Sequence, residues 1–190
     1  MTIGSVYAAW SYAQGTTASS EITREINMAQ VNTDSNKGTI SVTPTNVSFL
    51  VDDVGAVDYV AALTATGHFT INFTPAAGSD ASLATNGISM IATITVAYTG
   101  STAPTYTGVD AGNQPITVVP LKAKTNNVIN ITGNGIGGTT QLSAADILTA
   151  IDFNEGQSVK LPSKADNDTY HNVLKNYTIK ITISEYIPTP

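Results

Sequence analysis

The stretch Ile88-Ser89-Met90-Ile91-Ala92-Thr93-Ile94-Thr95-Val96-Ala97-Tyr98-Thr99 decides the fold class. Ile88, Met90, Ala92, Ile94, Val96 and Tyr98 fall on one side of a period of two. Ser89, Ile91, Thr93, Thr95, Ala97 and Thr99 fall on the other. A period of two belongs to a strand, whose successive side chains point to opposite faces of a sheet. The first face is apolar throughout, which predicts a half-buried strand with Tyr98 in the core. The pattern recurs where Tyr177, Ile179, Ile181 and Ile183 alternate with Thr178, Lys180, Thr182 and Ser184, so Tyr177 is also read as core. Phe69, Ile71 and Phe73 alternate with His68, Thr70, Asn72 and Thr74 in the same way.

Shorter strand candidates cover Ile40 to Thr43, Val47 to Val51, Val57 to Leu63, Ile116 to Leu121 and Val128 to Thr132. Turn-forming residues separate them, among them Asn36-Lys37-Gly38, Thr66-Gly67 and Asn86-Gly87. The segment Glu21 to Val31 fits either a helix (Ile22, Ile26, Ala29) or a strand (Ile22, Ile26, Met28), and the strand is preferred. One helix is expected near 143–152. Ser143 followed three residues later by Asp146 reads as an N-terminal capping box, Ile147, Leu148 and Ile151 as its apolar stripe, and Asn154 to Gly156 as its end. The stretch from Gly100 to Gly112 reads as a long surface loop. About nine strands and one short helix predict an all-β protein, a single β-sandwich domain over residues 1–190 of Greek-key or jelly-roll type.

Composition agrees and narrows the function. The chain has 190 residues, of which 42% are hydrophobic and only 12% charged. Its 29 threonines supply polarity that charged residues usually supply, and β-branched residues suit a pleated surface. Net charge is −6, with seven lysines and the single arginine Arg24. Nucleic-acid binding needs a basic face with several phosphate contacts, so that class is set aside. No apolar run is long enough to span a membrane as a helix. There is no cysteine, which removes disulfides, thiolate metal sites and cysteine nucleophiles, and points to an exported protein that avoids thiols. An exported chain would have lost its signal segment, leaving Met1 as an added start residue.

The inventory for catalysis is thin. His68 falls on the outward face of a strand, and His171 follows the polar stretch Asp166-Asn167-Asp168-Thr169-Tyr170, read as a loop. No G-x-S-x-G elbow accompanies either histidine. Two acid groups, Asp52-Asp53 with Asp58 and Asp152 with Glu155, could in principle serve a glycosidase, which needs two carboxylates of separated pKa. Such acids are more often turn formers and helix-end residues. Gly133 to Gly138 lacks the Lys-Ser/Thr of a phosphate loop. Asp166, Asn167 and Asp168 are the best calcium candidates because hard cations take several oxygen ligands, but no EF-hand spacing surrounds them. No cofactor is expected otherwise. Asn46, Asn72, Asn130, Asn167 and Asn176 each open an N-x-S/T triplet, the acceptor pattern for N-glycosylation. Tyr106 and Tyr170 are the candidates for exposed aromatic platforms that stack on sugars.

The first dozen residues are unusual for a terminus. Val6, Ala8, Trp10 and Tyr12 share one face of an alternating run, and Ile3, Ser5, Tyr7, Ala9 and Ser11 the other. The run reads either as the first strand of the chain's own sandwich or as a strand that completes the sheet of a neighbouring subunit. Val6-Tyr7-Ala8-Ala9-Trp10-Ser11-Tyr12 resembles the small-then-aromatic start of exported Gram-positive proteins. It also resembles the TasA-type biofilm-matrix fibre subunits. That resemblance implies a cysteine-free jelly roll whose N-terminal segment takes part in strand exchange between subunits, and it brings no catalytic residue with it. The leading expectation is therefore a secreted, non-catalytic structural subunit that self-associates into a homopolymer through Val6, Ala8, Trp10 and Tyr12. The rival expectation is a secreted carbohydrate-binding or adhesion module, and a hydrolase using the acid groups comes third.

Overall fold

A computed structural model describes residues 21–32, 37–54, 60–78, 87–131 and 140–185. The fold is a β-sandwich. One sheet has the order β1-β3-β4-β10, built from β1 (Glu21–Glu25), β3 (Gly38–Val54), β4 (Ala62–Pro75) and β10 (Thr140–Ser143). The other has the order β2-β13-β5-β9, from β2 (Asn27–Asn32), β13 (Tyr177–Glu185), β5 (Met90–Tyr98) and β9 (Val128–Ile131). All pairings are antiparallel except β13 with β2, which run parallel. Glu21 to Val31 is therefore strand, but it serves both sheets. Buried Ile26 separates β1 from β2, and its N–H donates to the carbonyl of Phe49 at 2.8 Å as the chain steps across.

The core lies where the alternating runs placed it. Ile40, Phe49, Val51, Phe69, Ile71 and Phe73 of the first sheet are buried in one cluster with Met90, Ala92, Ile94, Ile179, Ile181 and Ile183 of the second. Ile40 to Thr43 and Val47 to Val51 belong to a single long strand, β3. Its register against β4 shifts between Thr45 and Ser48. Asn46, at φ 50°, and buried Val47 there oppose the single residue Gly67, at φ 82°, which makes a β-bulge.

Two smaller sheets and two helices accompany the main sheets. One sheet orders β12-β6-β7, from β12 (Val159–Lys160), β6 (Tyr106–Asp110) and β7 (Pro115–Val118). The other pairs β11 (Ile151–Phe153) with β8 (Leu121–Ala123). Helix α1 spans Ala144–Leu148, and the Oγ of its N-cap Ser143 accepts from the Asp146 N–H, as the capping box predicts. It is shorter than expected, because Ile151 belongs to β11 and not to the helix stripe.

Three sequence expectations are corrected here. The Gly100 to Gly112 stretch is not all loop, since it holds β6. The polar stretch from Asp166 to Tyr170 is not a loop but, with His171 after it, part of helix α2 (Lys164–Leu174), capped by Ser163 and Asp166. Tyr106 and Tyr170, expected on loops, are both buried and pack edge to face at 4.9 Å. No helix among the described residues is long and apolar enough to cross a membrane.

Candidate functional site

The candidate donor residues Val6, Ala8, Trp10 and Tyr12 lie outside the described residues, as do the Gly133 to Gly138 stretch and Asp58. What the structure does place is the edges that a donor strand would meet. In the first sheet the outer strand β1 carries Glu21, Arg24 and Glu25, and charges on an edge discourage pairing with another chain. Among the described residues both outer strands of the second sheet, Asn-Met-Ala-Gln-Val-Asn in β2 and Val-Ile-Asn-Ile in β9, carry neither charge nor proline, and the same holds for β10, Thr-Gln-Leu-Ser, at the other side of the first sheet. Val128 on β9 is also one of the two large hydrophobic residues exposed among those described, at 42%.

The other one is Tyr98, at 38%, and it corrects the core assignment. Burial fades along β5: Met90, Ala92 and Ile94 are buried, Val96 is half-buried and Tyr98 emerges at the end. Its ring packs edge to face on Tyr177, centroids 6.0 Å apart at 72°. Tyr177 is buried as expected, and its hydroxyl donates to the Pro104 carbonyl. Burial, with smaller contributions from Tyr98 and Glu155, pushes the Tyr177 phenol up to about 12. Tyr98 borders an open cavity of about 570 Å³ whose walls include Val96, Val119 and Leu121.

Lys122 and Glu155 stand at the rim of that cavity. The Lys122 ammonium donates to the Glu155 carboxylate at 2.9 Å and lies 3.6 Å from that of Asp152. The second Glu155 oxygen accepts from the Val119 N–H at 3.2 Å. The bond from Lys122 and then that from Val119 hold the Glu155 carboxyl below its ordinary range, and the same bond to Glu155 raises the Lys122 ammonium.

An unusual backbone sets this rim. Asn154, Glu155 and Gly156 form a turn with φ of 53°, 54° and 72°, three successive residues in the left-handed region. The Glu155 side chain disfavours it by about 1–2 kcal/mol, whereas Asn154 is of a type that enters this region more readily. Both have local interactions that hold the turn. Asn154 is buried, accepting from the Tyr170 hydroxyl at 2.7 Å and donating its N–H to the Pro120 carbonyl at 2.9 Å. Glu155 is turned outward onto Val119 and Lys122. Strain of this kind collects where a side chain must be held in one place.

The calcium candidates do not converge. Successive residues on a helix point about 100° apart, so Asp166, Asn167 and Asp168 cannot face one ion together. Asp166 closes the helix cap with Ser163, and Asn167 is buried. No group of three or more His, Cys, Asp or Glu side chains placed to hold one ion occurs among the described residues. His171 is buried in α2 at 6% exposure, and His68 lies 3.3 Å from the Gln141 amide on β10. Asp52 and Asp53 sit at the end of β3, paired with Thr23 and Ile22 of β1. The sequence reading missed Tyr98 and Lys122, and only the pairing of β8 with β11 brings Lys122 to the acids. Comparison with protein-family models, with curated proteins and with solved structures finds no match to this chain.

Proposed function

We propose that this protein is a secreted, non-catalytic structural subunit that joins copies of itself into a fibre, pilus or surface layer by pairing strands across subunits. The observation that carries this reading is how little charge stands on the outer strands of the two main sheets among the described residues. Of the four outer strands only β1 carries charged residues, Glu21, Arg24 and Glu25, whereas β2, β9 and β10 carry none. Uncharged, proline-free edges are what proteins avoid unless something pairs there. Two such edges on opposite sides of one sheet give a head-to-tail contact, which propagates into an open polymer if it does not close on itself. The apolar run Ile3 to Tyr12 of a neighbouring copy is the strand proposed to dock, with Trp10 as its anchor.

The chemistry supports a subunit over an enzyme. A glycosidase acid needs a raised pKa, and Glu155 is held low between Lys122 and the Val119 N–H. A cysteine-free chain has no thiol for an oxidising exterior to modify, which agrees with export. Sedimentation across a concentration series, with negative-stain microscopy, tests the reading. The wild type should polymerise. Val128→Lys with Asn130→Lys, both exposed on β9, should stay folded and monomeric. Trp10→Ala should weaken assembly without unfolding the monomer. A wild type that is monomeric at every concentration refutes the proposal.

A further inference from the structure

The geometry points to a second, independent role: the cavity beside Tyr98 is a binding site for a neutral saccharide. Its parts match what a sugar ring offers. A pyranose presents a face of C–H groups, which packs on an aromatic ring, and a rim of hydroxyls that both donate and accept. Tyr98, an exposed residue, supplies the ring, backed edge to face by Tyr177. Tyr177 is itself fixed by burial and by its bond to the Pro104 carbonyl, so the surface that backs Tyr98 is held in place. Val96, Val119 and Leu121 give this open cavity of about 570 Å³ an apolar wall.

The rim decides the ligand's charge. Lys122 donates and Glu155 accepts, and the two are 2.9 Å apart, so adjacent hydroxyls of one ring can reach both. With Asp152 also on Lys122, the ammonium has no spare counter-charge to offer an anion. A phosphate, a nucleotide or an acidic polysaccharide would meet two carboxylates for one cation, in a chain of net charge −6. A neutral ring meets none of that repulsion. The left-handed turn adds pre-organisation. It holds Glu155 on Val119 and Lys122 before any ligand arrives, so less freedom is lost on binding. None of these residues lies on β2 or β9, so the site does not depend on self-assembly.

The test is titration of the full chain with cellotetraose, maltotetraose and chitotetraose, followed by amide chemical shifts in two-dimensional NMR. Polygalacturonate serves as the anionic control, and a proline-rich peptide as the protein-partner control. At least one neutral saccharide should move the amides of Tyr98, Val119 and Lys122 and saturate. Tyr98→Ala should weaken that binding by about tenfold, the loss of one stacked ring, while Tyr98→Phe keeps it. Because Tyr98 is partly exposed, both variants should melt near the wild type, and a variant that melts early is replaced by Lys122→Met, read in the same titration. The inference fails if no neutral saccharide moves these amides, if binding survives both Tyr98→Ala and Lys122→Met, or if only the polygalacturonate or the peptide binds there.

Discussion

Two glycine substitutions separate backbone strain from steric conflict. Gly67 and Gly78 have nearly the same φ, 82° and 78°. A Cβ on Gly78 would meet no atom within 4 Å. A Cβ on Gly67 would stand 2.2 Å from the Asn46 carbonyl oxygen, 2.4 Å from its carbon and 2.5 Å from the Thr45 oxygen. All three are backbone atoms of the opposing strand at the β3 bulge, so no side chain can swing aside. Placing alanine in the left-handed region costs about 1–2 kcal/mol, and the smaller freedom of the unfolded chain returns about 0.5–1 kcal/mol. Gly78→Ala should therefore destabilise by about 1 kcal/mol. Gly67→Ala carries the same term and must also push β3 and β4 apart. Losing two ladder hydrogen bonds beside the bulge adds about 1 kcal/mol each, for a total of about 3 kcal/mol. Urea titration of both variants at fixed protein concentration reads the difference directly as a shift in midpoint. A gap below about 0.5 kcal/mol would show that the bulge yields and that Asn46 and Gly67 are not held as described.

Two further outcomes follow from the core and from Tyr177. Ile181 is fully buried on β13, between β2 and β5, so Ile181→Ala should cost about 2–5 kcal/mol by urea titration, and a loss well under 1 kcal/mol would mean the strand faces are misassigned. A phenol whose folded pKa is raised contributes stability below its unfolded pKa and loses it as pH rises. Tyr177 should therefore cost the protein stability between the ordinary value of 10.0 and about 12. In thermal melts Tyr177→Phe should flatten this alkaline limb, and an unchanged limb would assign the loss to other groups.

The strands were legible because an alternating run states its face directly. Phe69, Ile71, Phe73, Ile94, Ile179, Ile181 and Ile183 are all buried where period two puts them. The same reasoning failed at Tyr98, since alternation gives a face and not the reach of the layer that covers it. Helix α2 failed for a different reason. Its buried positions are Asn167, Tyr170, His171 and Leu174, spaced i, i+3, i+4 and i+7, but two of the four are polar, so no apolar stripe stood out. The capping pair Ser163 and Asp166 was the available signal, identical in spacing to the Ser143 and Asp146 pair that did reveal α1. Neither the left-handed turn nor the approach of Lys122 to Glu155, 33 positions apart, has a local sequence signature.

The low charge content links the two proposed surfaces. With 12% charged residues, the chain has few with which to guard its edges, and in the two four-stranded sheets those on an outer strand fall on β1. A monomeric domain gains by distributing lysines over every edge, because each unguarded strand is a template for association. Here neither β2 nor β9 holds any of the seven lysines, whereas Lys122 is placed within 2.9 Å of Glu155 at the cavity rim. Charge is absent where pairing through backbone groups would be needed, and it is present as a balanced pair where hydroxyl groups would be received. The two surfaces therefore answer to different perturbations. Salt screens exposed charges and leaves backbone pairing largely intact. Raising ionic strength should then loosen the rim pair of Lys122 and Glu155 before it disturbs contacts made through β2 and β9.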